Sequence, residues 1–428
     1  MRKIAIVIAL VLGLALSVSF AVPGGADEVI VSVAKSGPAV SRLRAMGLDL
    51  LQEAQGRVFI VASPADLRKL EAAGLDYRLE SQPSIAAPAG STQAASDING
   101  AFHSYLEVEA ELQALEREFP ALAKVFDLGL SLEGRHIYAL KVSANVASDQ
   151  AEAQVLFLGC HHAREWISVE VPLLFGRYAL EHYATDAVMK QLLDHSEVWI
   201  VPLVNPDGLE YSIHTYRYWR KNRRDNGAGA WGVDINRNYD YAWGHDDIGS
   251  SPDPFSDIYR GTSASSEPET QAVEGFIASR NFQALISYHS YAGDILFPWG
   301  YTTAPAPDAA RLNDLAAGMS TRIQAVNGRT YTFGEASTAL YVTNGDITDW
   351  AYGQFRIMAF TIELPPMEYV DGNFFNAESQ IQPIFLENVP AMEYLIGQAQ
   401  AIFAAQAAAA QPGPRKGGPA RETHPVKH

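Results

Sequence analysis

The stretch QVLFLGCHHAREWISVEVPLLFGRYALEHY, residues 154–183, decides the reading of this chain. Gln154 to Leu158 is a short apolar run, and Ser168 to Tyr183 repeats apolar residues at helical spacing. A buried strand that turns directly into a helix is the opening half of a parallel strand-helix-strand unit. Ser168 is expected to cap that helix, with Glu170 in its first turn. Further along, Val198 to Val204, Ala284 to Tyr288 and Ile357 to Leu364 read as buried strands, while Glu267 to Ser279 and Pro307 to Val326 read as helices. The alternation predicts an α/β fold: a mixed, mostly parallel sheet with helices on both faces. Such sheets hold ligands in the crevice beyond the carboxyl ends of their strands, so the residues following each strand are the ones to inspect.

Toward the N-terminus the pattern changes twice. Residues 1–21 carry Arg2-Lys3, an apolar run from Ile4 to Leu16, and Ser19-Phe20-Ala21, the three parts of a cleaved secretory signal. The run is short for a membrane span and no basic stop-transfer cluster follows, so the processed chain is expected to be extracellular, without stable membrane association. Its low cysteine content suits a bacterial exported protein. Residues 22–80 then read as a small α+β domain: strand Glu28 to Ala34, helix Pro38 to Met46, strand Arg57 to Ala62, helix Pro64 to Ala73, and an extended segment from Asp76 to Glu80. Residues 81–96 hold no charge and are rich in Ala, Ser and Pro, as a flexible linker is. The body spans 97–405. A tail over 406–428, rich in Ala and Pro, offers little to bury from Gln411 onward and is expected to be disordered.

The charge of the whole chain, −17 over 428 residues, averages unlike segments. The body alone carries 19 basic and 40 acidic side chains, a net of −21. That excludes nucleic acid as the main partner, which would require a basic face. A basic run does occur, with Arg217, Arg220, Lys221, Arg223 and Arg224 inside eight positions; alone it would read as a solvated face or a polyanion patch. The single cysteine, Cys160, rules out an intrachain disulfide and, at a strand end, reads as a small buried hydrophobe rather than a nucleophile.

Three strand ends supply candidates for chemistry. After the first come His162 and Glu165, three residues apart in Gly159-Cys160-His161-His162-Ala163-Arg164-Glu165-Trp166; after the third stands His289; and Glu363 sits inside the apolar strand Phe360-Thr361-Ile362-Glu363-Leu364. Singly, each has a plain reading: a surface pair, a hydrogen-bonding histidine, a paired carboxylate. Imidazole nitrogen and carboxylate oxygen are also what zinc accepts, and a catalytic site takes three such ligands and leaves one position open. A carboxylate inside an apolar strand is costly unless it is paired, bound to metal or poised for proton transfer.

Together these residues resemble the zinc metallocarboxypeptidases of the carboxypeptidase A/B type, and most closely the bacterial carboxypeptidase T subgroup, over roughly Phe102 to Phe403. The resemblance implies one catalytic Zn2+ on His162, Glu165 and His289. It implies Glu363 as general base and Arg220, in Arg217-Tyr218-Trp219-Arg220-Lys221-Asn222, as the stabiliser of the oxyanion. Asn236 and Arg237, in Gly232-Val233-Asp234-Ile235-Asn236-Arg237-Asn238, would hold the substrate's terminal carboxylate. Tyr341 would close over the substrate, and Arg164 would add a subsite contact. His161 reads as structural or as a support to the ligands.

In the segment Asn344 to Trp350, relatives specific for basic residues carry aspartate at the place of Thr348, and those specific for apolar residues carry isoleucine. Asp346 resembles the broad-specificity arrangement, which implies release of apolar or aromatic residues and of Lys or Arg. Residues 22–80 resemble the family's propeptide, so an activating protease is an implied partner alongside peptide or protein C-termini. The linker contains no Lys or Arg for a trypsin-like cut. Acidic loops at Asp246-Asp247 and Asp253 to Asp257 would accommodate Ca2+ or simply be solvated. A monomer is expected. Two other readings stand beside this one: a zinc peptidase acting on diaminopimelate-containing cell-wall peptides, and an inactive peptide-binding module, which would require a missing ligand or base.

Overall fold

The apolar runs read from the sequence lie side by side at the centre of the molecule. The computed structural model describes residues 29–36, 39, 42–43, 46, 48–54, 56–62, 64–79, 98–366 and 374–410. The expected signal segment, the linker at 81–96 and residues 411–428 fall outside these.

Strands β1 (Val29–Ala34), β2 (Asp49–Ala54), β3 (Arg57–Ala62) and β4 (Tyr77–Leu79) form a small sheet in the order β2-β3-β1-β4, with helix Pro64–Ala72 alongside. Of the helix expected over Pro38 to Met46, the described residues 39 and 42–43 are helical. Val31, Val33, Val58, Ile60 and Leu70 make a separate core. Because successive strand residues face opposite ways, Phe59 points out of that core. It is buried instead against Tyr218 and Phe374 of the large domain.

The large domain is built on β5 (Ala123–Leu130), β6 (His136–Val142), β7 (Ala153–Leu158), β8 (Ser196–Val201), β9 (Phe282–Ser290), β10 (Asp294–Phe297), β11 (Thr332–Glu335) and β12 (Met358–Leu364). Their order in the sheet is β11-β10-β12-β9-β7-β8-β6-β5. The central four, β12, β9, β7 and β8, run parallel; β10 is antiparallel to β12, and β6 is antiparallel to both β8 and β5. Every residue of β7, β8 and β9 is buried, which is why Val155 to Leu158, Val198 to Val201 and Ala284 to Ile286 read as apolar runs without a polar alternation.

Helices cover both faces. Trp199 meets Phe276 of helix Pro268–Ala278, ring centroids 5.1 Å apart, while the next residue, Ile200, faces Gly176 of helix Ile167–His182 on the other side. Two expectations need correction. Ser168 lies inside the first turn of helix Ile167–His182, whose cap position is Trp166. The last helix, Ile381–Ala410, continues five residues past the boundary expected at 405, because the Ala-rich start of the tail is good helix-forming sequence.

Candidate active site

The chain leaves β7 toward β8 on one side, while β9 lies on the other. This places the turn after β7 at the switch point of the sheet, where α/β folds open a crevice. Gly159 starts the turn because a Cβ there would collide with the carbonyl oxygens of Ser168 and Pro202. Cys160 follows at φ 55, a left-handed conformation uncommon for a side-chain-bearing residue. Its N–H donates to Ser168 Oγ at 3.1 Å, and Ser168 donates to the Glu165 carbonyl. Ser168 therefore fastens the turn instead of capping the helix.

This turn brings His162 and Glu165 against His289 at the end of β9. The three are buried, and one ligand atom from each lies within 4.8 Å of the others. Nδ1 of His162 is 2.8 Å from Glu165 Oε1, Nδ1 of His289 is 3.0 Å from Glu165 Oε2, and the two Nδ1 atoms are 3.1 Å apart. Burial opposes charge on Glu165, yet His162 and His289 hold its carboxyl well below the usual range. Nε2 of His162 lies 3.2 Å from Asp234 Oδ1. An ionised carboxylate only accepts, so that nitrogen donates to Asp234, and Nδ1 is the nitrogen left to face Glu165 and His289, where a cation would stand in place of a proton. Two imidazoles and a carboxylate aimed at one point form a donor set that fits a cation such as zinc.

Asp234 is the residue that the sequence reading passed over. Its other oxygen, Oδ2, accepts from Arg220 Nε and Nη2 at 3.1 and 2.9 Å, so one carboxylate orients a metal-ligand candidate and a catalytic candidate together. Burial opposes its charge, but Arg220, His162 and Arg237 hold it well below the ordinary range. The Ala163 N–H bond to the Arg220 carbonyl ties the same two segments through the backbone. Its signal was available in the Val233-Asp234-Ile235 run: an acid flanked by apolar residues.

Glu363 pairs in register with His289 across β12 and β9 and shares a pocket with His162, His289, Asn236, Arg237, Tyr341, Asp346 and Thr348. Burial, then Glu165 and Asp294, raise its carboxyl well above the usual range. Arg237 donates Nη1 to the Asn236 carbonyl at 2.8 Å, while its buried Nε has no hydrogen-bond partner among the described residues. Asn236 is fixed by accepting from the Ile347 N–H at 3.0 Å.

Asp346 caps helix Ile347–Phe355, accepting from the N–H groups of Thr348 and Asp349 and from the hydroxyls of Thr343 and Thr348. Thr343, also unanticipated, lines the pocket. Arg164 is not among the residues lining this pocket; its guanidinium lies over Phe374, 4.4 Å from the ring centroid, and 3.9 Å from Asp257. The loop acids that would accommodate Ca2+ or be solvated have partners within the protein. Asp246 accepts from Ile248, Gly249 and Asn344, Asp247 pairs with Arg260, and Asp253 accepts from Phe255. Among the described residues the histidine and glutamate trio is the one group of three or more that could hold a metal.

Comparison with known proteins agrees with this geometry. The model of the zinc carboxypeptidase family matches residues 108–391. A zinc carboxypeptidase of Saccharothrix mutabilis subsp. capreolus is 32% identical over 399 residues, covering 88% of this chain and 90% of that protein. Carboxypeptidase B of Bos taurus is 34% identical over 298 residues, covering 69% and 70%. The crystal structure of carboxypeptidase A from Helicoverpa armigera superposes with a TM-score of 0.71 at 27% identity, covering 89% of this chain and 98% of that one. By its sequence and its fold, this chain belongs to the zinc carboxypeptidase family and is a metallocarboxypeptidase, a hydrolase of peptides.

Proposed function

We propose that this chain is exported as a zymogen and, once processed, removes single residues from the C-termini of peptides with broad specificity, taking apolar or aromatic residues as well as Lys and Arg. The observation that carries the exopeptidase reading is Arg237: a buried guanidinium whose Nε has no partner among the described residues, in the same pocket as His162, His289 and Glu363. A planar guanidinium grips a free carboxylate through two parallel bonds, and an internal peptide bond has no such group. Asn236 would complete that grip, and Tyr341, on the pocket wall, would cover the bound residue.

Zinc held by His162, Glu165 and His289 would polarise the scissile carbonyl and bring the pKa of water toward about 7. Glu363 takes the proton of the attacking water and returns it to the leaving amine. Arg220, aimed by Asp234, neutralises the oxyanion that forms on the substrate. Asp346 leaves the pocket a negative charge for Lys or Arg, while the Thr348 methyl group and hydroxyl leave room for an apolar side chain.

The zymogen reading is supported by Phe59 of the small domain, which is buried beside Tyr218 and Phe374 with Tyr291 packed on the same cluster, two residues beyond His289. The Ca2+ alternative gains no support from these loop acids, which bond within the protein. The test is hydrolysis of Phe-ended and Arg-ended peptides by the processed protein, with and without a chelator. Metal-dependent release of both end residues, abolished by Glu363→Gln, is expected; activity indifferent to chelation would overturn the mechanism.

A further inference from the structure

His161 and Ser287 are fully buried and stand outside the proposed chemistry, yet both are bonded toward a metal-ligand candidate. On β9, Ser287 and His289 are two residues apart and face the same way, so the serine hydroxyl lies under the imidazole. Ser287 Oγ is 3.0 Å from His289 Nε2 and 3.1 Å from His161 Nδ1. The chain continues from His161 Nε2 to the Tyr239 hydroxyl at 2.8 Å. His161 also stacks on His289, ring centroids 5.5 Å apart and planes 18° from parallel. All four side chains are 0 or 1% exposed, so water does not compete for these bonds.

We infer that Ser287, backed by the buried His161 and Tyr239, is a positioning residue that fixes the tautomer and ring plane of His289 and thereby sets the affinity of the site for zinc. This rests on the zinc reading above and goes beyond it. A neutral imidazole has one N–H and one lone pair, and a hydroxyl has one proton to give. Ser287 gives its proton to His161 Nδ1, and His161 gives its Nε2 proton to the Tyr239 oxygen. The Ser287 lone pair then accepts from His289 Nε2–H, which frees His289 Nδ1 to face a cation beside Glu165 and His162 in place of the proton it would otherwise share with the Glu165 carboxylate. The opposite tautomer would aim an N–H at the metal position. Ser287 thus does for His289 what Asp234 does for His162, with a neutral partner in place of a carboxylate. Partners of this kind commonly change metal affinity by about 10- to 100-fold when removed.

The test measures zinc affinity by competition with a chromophoric chelator on the full chain, with urea unfolding of the metal-free protein in parallel. Ser287→Ala is expected to weaken zinc about 10-fold or more and, because it leaves buried ring nitrogens without a partner, to lower metal-free stability as well, and Ser287→Thr, which restores a hydroxyl, to recover the affinity. Equal affinity in Ser287→Ala and parent overturns the inference, as does equal weakening in the alanine and threonine variants, which would mean packing rather than the hydroxyl matters. His162→Ala separates the two levels: if it leaves zinc binding unchanged, the metal reading itself fails and this inference with it.

Discussion

Asp234 Oδ1 lies 3.2 Å from His162 Nε2, so the carboxylate that stabilises one imidazole from behind is the one whose other oxygen holds the Arg220 guanidinium. Metal-ligand and oxyanion candidates are therefore set by a single buried group. The Asn236 N–H also donates to Oδ1 at 3.0 Å, which extends the same control to the segment carrying Arg237.

Asp234→Asn keeps the shape and removes the charge. Its amide can still accept from one neighbour, but it cannot serve both His162 and Arg220 as a carboxylate does. Activity and zinc affinity should each fall by about 10- to 100-fold. Measured together, they distinguish this shared role from one confined to Arg220, which would lower kcat with zinc affinity intact.

Arg237→Ala removes the only charged group proposed to read the substrate's terminus. Losing one partner of a buried charge pair costs roughly 2 kcal/mol or more, about 30-fold in kcat/KM. Arg237→Lys should recover little, because an ammonium lacks the two-toothed geometry. The decisive comparison is a peptide with a free C-terminus against its C-terminal amide. The parent should discriminate strongly between them and the alanine variant weakly; retained discrimination would place carboxylate recognition elsewhere.

Asp346→Asn separates the two jobs of that residue. Asparagine is as good a helix cap as aspartate, so helix Ile347–Phe355 should persist. The pocket loses its negative charge. Hydrolysis of Arg-ended peptides is expected to drop about 10-fold or more, and that of Phe-ended peptides to stay within about 3-fold. An equal loss on both would mean that Asp346 acts as a cap and nothing else.

Much of this site was legible because its residues interrupt strong patterns. His162, Glu165 and His289 stand where apolar strands end, and Glu363 breaks an apolar strand from within. Less visible were β5 and β6, whose sequences AKVFDLGL and HIYALKV mix charge with apolar residues because they lie toward one edge of the sheet. The register shift between Asp127 and Gly129 breaks the alternation further. Strands β10 and β11, four residues each, are too short to show a period, and β2, DLLQEA, lacks the apolar alternation of a strand. Ser168 misled because Ser before an apolar helix looks like a cap, whereas here its hydroxyl serves the preceding turn. Ser287 carries no local signal of its role, and the apolar neighbours of Asp234 point to its burial but not to its partners, which are met only once β9 and the 234–238 segment are brought beside β7.

Glu269 gives a prediction that does not depend on metal. It lies in the first turn of helix Pro268–Ala278, fully buried, and accepts from the Leu132 N–H and from Asn222 Nδ2. Burial outweighs these bonds, and its carboxyl is pushed up to about 7 from an ordinary 4.5. A raised carboxyl means that the folded state prefers the proton. The stability this contributes is fully present below the unfolded value near 4.5 and is lost as pH rises through the folded value near 7. At about 1.4 kcal/mol per unit, the swing across that window is roughly 3 kcal/mol. Other carboxylates, such as Glu107 and Asp149, are shifted downward, so the total curve mixes opposing slopes. The difference between Glu269→Gln and parent isolates this one. Glutamine next to Asn222 imposes a cost that does not vary with pH, so it subtracts out of the trend. The variant should gain on the parent steadily from pH 4.5 to about 7 and run parallel to it above that, as read by urea unfolding at a series of pH values. A difference that stays flat over the same range would show that Glu269 is already ionised at pH 5 in the folded protein, with its hydrogen bonds to Leu132 and Asn222 outweighing burial.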